Sequence, residues 1–157
     1  MITFYEDIDS YDYATIIEAE DISRSSPDLS TKTGAVISID HRAFAAGYNR
    51  LAYGAVPLEE RFQRPEKYLW TVHSEIVALG TCARDGLATD GATLYSNWWP
   101  CADCTRAIIE AGIVRVVGVK PDTTHPKYGH EFEVSLQMLK EAGVECCFIG
   151  KRVQAQK

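Results

Sequence analysis

The chain has 157 residues, 46% of them hydrophobic and 24% charged, which fits a single domain, 1–157, whose core needs no disulfides. Its formal net charge is -6 and it carries no Lys/Arg cluster, so a nucleic-acid polymer is not an expected partner. No apolar run approaches the ~18 residues of a membrane span, the acidic start lacks a signal-peptide pattern, and five cysteines, an odd number, argue against a disulfide framework; the reading is a cytoplasmic protein with no membrane partner.

The first predicted helix runs from Tyr11 to about Ile22, with apolar residues near helical spacing, and Ser25, Ser26, Pro27 and Asp28 break it. Gly34 to Ile39 reads as a strand, Asp40 to Arg42 as a turn and Ala43 to Tyr48 as a second strand, together a β-hairpin. Asn49 to Tyr68 is a long polar loop, a kind of segment that often carries function. A helix over Val72 to Ala83 follows, with Ile76, Val77, Leu79 and Gly80 expected on its inner side. Ala92 to Ser96 is a strand, Pro100 opens a helix that Gly112 stops, and Ile113 to Val119 is a β-branched strand. Phe132 to Glu141 is a helix closed by Gly143, and Val144 to Ile149 is the last strand, in which Cys146 and Cys147 are expected to pack as small hydrophobes. The β-α-β-α-β rhythm of the second half favours parallel pairing. The expected fold is α/β, a three-layer α-β-α sandwich around a five-stranded mixed sheet whose hairpin supplies the antiparallel part.

Two short motifs carry chemistry. His73, Ser74 and Glu75 open one predicted helix, and Pro100, Cys101 and Cys104 open the next. In a βαβαβ unit these helix starts share one edge of the sheet, so the imidazole and the two thiols can converge. One helical turn puts both sulfurs on the same face, and the positive helix end favours thiolate. Two thiolates and one imidazole suit a single Zn²⁺ ion. Three protein ligands leave a fourth position for water or hydroxide, the pattern of a catalytic site, and zinc lowers the pKa of such water to about 7. Glu75, two residues from a ligand, is the candidate that moves protons between water, ring nitrogen and leaving amine.

The pair His-x-Glu and Pro-Cys-x-x-Cys is the zinc deaminase signature. On it the chain resembles the cytidine/deoxycytidylate deaminase superfamily, and is most similar to the deoxycytidylate (dCMP) deaminases. The resemblance runs from about Ile22 to Cys147 and includes Ser26 to Val36, Gly47-Tyr48-Asn49, Lys67-Tyr68 and Arg106 to Ile113. It implies a cytidine-deaminase-like fold, hydrolysis of dCMP to dUMP with release of ammonia, and a homo-oligomer. It also implies Asn49 at the substrate sugar and the Ser74 backbone at the base. Arg50 after Asn49, and Trp98 and Trp99 before the cysteines, depart from the pattern. The departures fall where the base pocket is lined, so one tryptophan is expected in the core and the other against the ligand ring.

Arg24 is assigned to the substrate, with Arg50, Arg61 and Arg64 as further candidates to hold a phosphate. His125 and His130 flank Tyr128 in a polar loop, read either as surface or as a lid. Other heterocycles (guanine, cytosine, a pterin, a triazine) are the alternative substrates. A non-catalytic structural zinc module is the alternative from another class, but Cys82 as its fourth ligand would stand ~13 Å from His73 along one helix.

Overall fold

The computed structural model describes residues 8–150 and the backbone of a short strand at 2–3. In chain order the elements are β1 (Ile2–Thr3), α1 (Ser10–Ser23), β2 (Gly34–Ile39), β3 (Arg42–Tyr48), β4 (Arg50–Leu51), α2 (Lys67–Trp70), β5 (Thr71–Val72), α3 (Ser74–Asp85), β6 (Thr93–Ser96), α4 (Ala102–Glu110), β7 (Arg115–Val119), α5 (Gly129–Glu141) and β8 (Glu145–Ile149).

The main sheet has the order β1-β8-β7-β6-β2-β3. Strands β6, β7 and β8 are parallel, and β2 runs antiparallel to both β6 and β3. Five of these strands are the expected mixed sheet; β1 adds a sixth, parallel to β8. The β2–β3 hairpin turns through Asp40 and His41 at φ 49° and 59°, the paired positive values that a two-residue turn needs to match strand twist.

Period-two alternation sorts the strand residues into two cores. Ala35, Ile37, Leu94, Val116, Cys146 and Phe148 face Ala78, Cys104, Ile108 and Leu139 of α3, α4 and α5. Val36, Tyr95, Val117 and Cys147 face Ile16 and Ala19 of α1. Two successive right-handed crossovers in one direction place α4 and α5 on the same face, with α1 covering the other. Cys146 and Cys147, adjacent in sequence, therefore fill opposite layers as the packing residues they were expected to be.

Helix α1 is tied to the sheet by a buried polar bolt. Asp12 takes both guanidinium arms of Arg115 at 2.7 Å and the Tyr95 hydroxyl at 2.8 Å. Close approach of α3 to β3 depends on Gly47, where a Cβ would stand 2.7 Å from Val77 Cγ1.

Three expectations need correction. In α3, Val77 is buried as expected and Ile76 and Leu79 pack half-buried against the core, but Gly80 is exposed, and Ala78 and Cys82 are buried on the inner face. Pro100 lies outside α4, whose N-cap is Cys101. The segment after Asn49 is not all loop: β4 and β5 pair antiparallel, and a 3-10 turn, Glu59–Phe62, precedes α2.

Candidate active site

The strand directions bring the site together. β3 and β6 both run antiparallel to β2, so their C-terminal ends and the start of β2 share one edge, and β7, parallel to β6, ends there too. His73 is the N-cap of α3 and Cys101 the N-cap of α4, and both helices start over that edge. The Cys101 sulfur accepts from the Cys104 backbone N–H at 3.5 Å, so the capping role and the ligand role fall on one atom.

His73 Nδ1 stands 3.4 Å from Cys101 Sγ and 3.4 Å from Cys104 Sγ. All three donor atoms lie within 4.8 Å of one another, and among the described residues no other group of three His, Cys, Asp or Glu side chains converges in this way. A tetrahedral zinc ion with bonds of about 2.3 Å to sulfur and 2.05 Å to nitrogen separates such donors by about 3.6 Å. The donor set fits zinc in chemistry and in spacing. Cys82, buried in the core formed with α4 and α5, is not part of the group.

Charge is distributed to match. Hydrogen bonding from Cys104, reinforced by His73, overcomes burial and pulls the Cys101 thiol down to about 4. Cys104 moves up, because the Cys101 sulfur holds its proton and burial adds to the effect. The hydrogen bond to Cys101 raises His73 to about 9 against the effect of burial.

Glu75 is buried on the first turn of α3, with Oε2 3.7 Å from Cys104 Sγ. Burial raises its pKa, partly offset by His73, so the carboxyl is shifted toward the range useful for proton transfer. The Ser74 hydroxyl donates to Glu75 Oε2 at 3.2 Å. Ser74 is fully buried, and its side chain orients the carboxylate, a contact that the motif does not reveal.

These groups open into a cavity of about 400 Å³, a size common for small-molecule sites. His73, Glu75, Cys101, Asn49, Trp98 and Trp99 all line it, and so do Arg64, Lys67, Tyr68, Tyr128, Glu131 and Phe132. An open groove of about 510 Å³ beside Ile39 and Phe44 contains none of the motif residues.

One of the two tryptophans lies in the core, as expected. Trp99 is buried on Phe148 with its indole N–H on Ser135 Oγ at 3.1 Å, while Trp98 is 36% exposed at the cavity. The amide of Asn49 accepts from Thr33 N at 2.8 Å and donates to Thr31 O at 2.9 Å, so it braces the cavity wall and keeps one proton and one lone pair to spare.

Arg24 is a correction. It caps the end of α1, pairs with Asp21 at 3.1 Å and does not line the cavity. Arg50 donates to Leu51 O, and Arg61 donates to Val56 O and lies over the Trp70 ring. Of the four arginines considered, only Arg64 reaches the cavity. Tyr128 does as well, with His125 stacked on it, while His130 is exposed beside Glu133.

Residues 10–120 match the family model described as the cytidine and deoxycytidylate deaminase zinc-binding region. The chain is 32% identical to an uncharacterized deaminase of Aliivibrio fischeri, over 83% of this chain and 88% of that one. It is 26% identical to the deoxycytidylate deaminase of Enterobacteria phage T2, over 79% and 84% of the two chains. Among solved structures, the dCMP deaminase of cyanophage S-TIM5 in complex with dCMP and dUMP aligns with a TM-score of 0.70 at 26% identity, covering 87% of this chain and 95% of that one.

Proposed function

The chain belongs to the cytidine and deoxycytidylate deaminase family of zinc-dependent hydrolases, and from that premise we propose that its substrate is deoxycytidylate, converted with water to dUMP and ammonia. The observation that carries this reading is Arg64. It lines the same cavity as His73, Cys101 and Glu75, and it makes no ion pair with a carboxylate among the described residues. A guanidinium left without a counter-charge beside a ligand cavity suits a phosphate, which it can grip with two parallel hydrogen bonds. The likeness to the phage T2 and cyanophage enzymes supports the same substrate.

In this reading His73, Cys101 and Cys104 hold zinc, which supplies Lewis acidity that makes water nucleophilic near neutral pH. Glu75 Oε2 takes a proton from the attacking water and passes it to the ring nitrogen; it then takes the proton of the hydroxyl newly bonded to the ring carbon and delivers it to the amine, so that the C–N bond breaks, ammonia leaves and the carbonyl forms. The Ser74 hydroxyl keeps Oε2 aimed. Trp98 offers its exposed ring to the base, and Asn49 offers its remaining amide proton to the sugar. Exposed Tyr53, Val56, Leu58 and Leu69 support a homo-oligomer, since large apolar side chains left at the surface favour association.

Ammonia release from dCMP, deoxycytidine, cytosine and guanine tests the reading. The expected result is dCMP first, by at least about tenfold in kcat/KM, the effect of one phosphate contact of about 1.4 kcal/mol. In Glu75→Gln turnover drops on the order of 10²–10⁴ while bound zinc stays at one per chain. Equal activity on the phosphate-free compounds removes the nucleotide from the reading. Full turnover by Glu75→Gln removes its proton-transfer role.

A further inference from the structure

Tyr68 of α2 and Tyr128 of the loop between β7 and α5 both line the cavity, and Lys127, beside Tyr128, joins the two segments: its ammonium donates to the Tyr68 hydroxyl at 3.5 Å, 59 residues away in sequence. Three cations surround the Tyr68 ring, with Arg64 Cζ at 5.8 Å, Lys67 Nζ at 5.8 Å and Lys127 Nζ at 5.7 Å from its centre. They are not equivalent. Lys67 is buried and neutralised by Asp28 at 2.9 Å, with Ser30 Oγ at 2.6 Å. Arg64 and Lys127 are exposed and make no ion pair among the described residues. The four acidic residues of the cavity have other partners: Asp28 pairs with Lys67, Asp103 with Arg106, Glu131 accepts the Ala102 backbone N–H, and Glu75 accepts the Ser74 hydroxyl.

The loop is built to hold Lys127 in place. His125 Nδ1 accepts both the Lys127 and the Tyr128 backbone N–H at 3.1 Å, and its ring stacks on Tyr128. Asp122 Oδ1 accepts the Thr124 backbone N–H at 2.9 Å and the Thr124 hydroxyl at 2.6 Å. Gly129 lets the chain close, since a Cβ there would lie 2.3 Å from Thr123 O. A long, flexible lysine on a loose loop would lose rotamer entropy on binding; here the backbone and the two phenol rings already confine it.

We infer that Lys127 determines specificity for the substrate's phosphate, contacting it from the β7–α5 loop together with Arg64 and the Tyr68 hydroxyl. Because Lys127 donates to the phenol oxygen, the phenol O–H is free to donate to a phosphate oxygen. One phosphate is thus gripped from α2's side and from the β7–α5 loop, and an uncharged nucleoside makes neither contact. This inference rests on the deoxycytidylate reading, and the experiment separates the two.

The ratio of kcat/KM for dCMP to that for deoxycytidine is measured in wild type, Lys127→Met, Lys127→Arg and Arg64→Met. A charge-assisted hydrogen bond to phosphate predicts a ratio lowered about tenfold by Lys127→Met, a similar fall in Arg64→Met, and a ratio largely kept by Lys127→Arg. A wild-type ratio in Lys127→Met together with a lowered one in Arg64→Met overturns the role of Lys127 and leaves the nucleotide reading standing. A wild-type ratio near one overturns the nucleotide reading and this inference with it.

Discussion

Asp28 and Lys67 form an ion pair with side chains only 9% and 10% exposed, and each belongs to a segment without long regular structure. Burial by itself would raise the Asp28 pKa. The backbone N–H groups of Thr31 and Ser30, with the Lys67 ammonium, outweigh it and hold the carboxyl at about 2, below its ordinary 3.8. A folded-state pKa below the unfolded one stabilises the protein above pH 3.8, and that contribution is lost as pH falls from 3.8 toward 2. The shift corresponds to about 2 kcal/mol. Asp28→Asn leaves a buried ammonium without a counter-charge, so it should lower stability at pH 7 by at least about 2 kcal/mol. The difference from wild type should close on acidification to pH 2. Unfolding midpoints in urea across that range check it; a gap independent of pH would remove the carboxylate charge as its source. The pair fastens α2, and with it Arg64 and Tyr68, to the loop that Asn49 braces.

Helix α3 carries both His73 and Glu75, so its seat on the sheet sets the site. That seat is Gly47, where a Cβ would meet the Ala78 backbone N at 2.8 Å as well as the Val77 side chain. Gly47→Ala should therefore destabilise by about 1–3 kcal/mol through overpacking and weaken zinc binding, because the helix start moves with the helix. Gly80 lies in the same helix with open space beyond it, so Gly80→Ala should stabilise by about 0.5–1 kcal/mol and leave zinc binding unaltered. Thermal melts and zinc titrations of the two variants decide the matter; equal effects would dissociate the seat from the site. The sequence reading put Gly80 on the inner face, because Ile76 and Leu79 draw the apolar stripe toward it. Gly80 is exposed instead, Ala78 and Cys82 are buried beside the expected Val77, and Ile76 and Leu79 pack half-buried against the core. The strands and helices were legible because each repeats its period over several residues. The pairing of β4 with β5 was not, since each strand has two residues and no period to detect.

At the scale of the whole molecule the same contrast separates the metal end of the cavity from its mouth. The convergence of His73, Cys101 and Cys104 beside Glu75 was readable because these residues sit in two motifs at helix starts, and the sheet brings such starts to one edge. The mouth was not readable: Lys127 and Tyr68 meet only through the folded chain, and Arg24, placed at the substrate by sequence alone, ends on the outside of α1. The two ends also differ in what they owe to the fold. The core beneath α1 and the Asp12–Arg115 bolt contain none of the ligand set, and in the other core Cys104, with Cys101 packed against it, is one edge of a cluster otherwise held by apolar side chains. Zinc removal should therefore leave a folded protein, unlike a zinc finger, which loses its structure. The ion still links α3 to α4, so it contributes through binding: about 4 kcal/mol when free zinc exceeds its Kd a thousandfold. For a chain of this length that corresponds to a Tm about 8–16 °C lower after chelation. The far-UV circular dichroism should be retained and ammonia release lost, with both Tm and activity restored on adding zinc back. Collapse of the secondary structure on chelation would place the metal within the folding core, and the ligands would then be scaffold first and active site second.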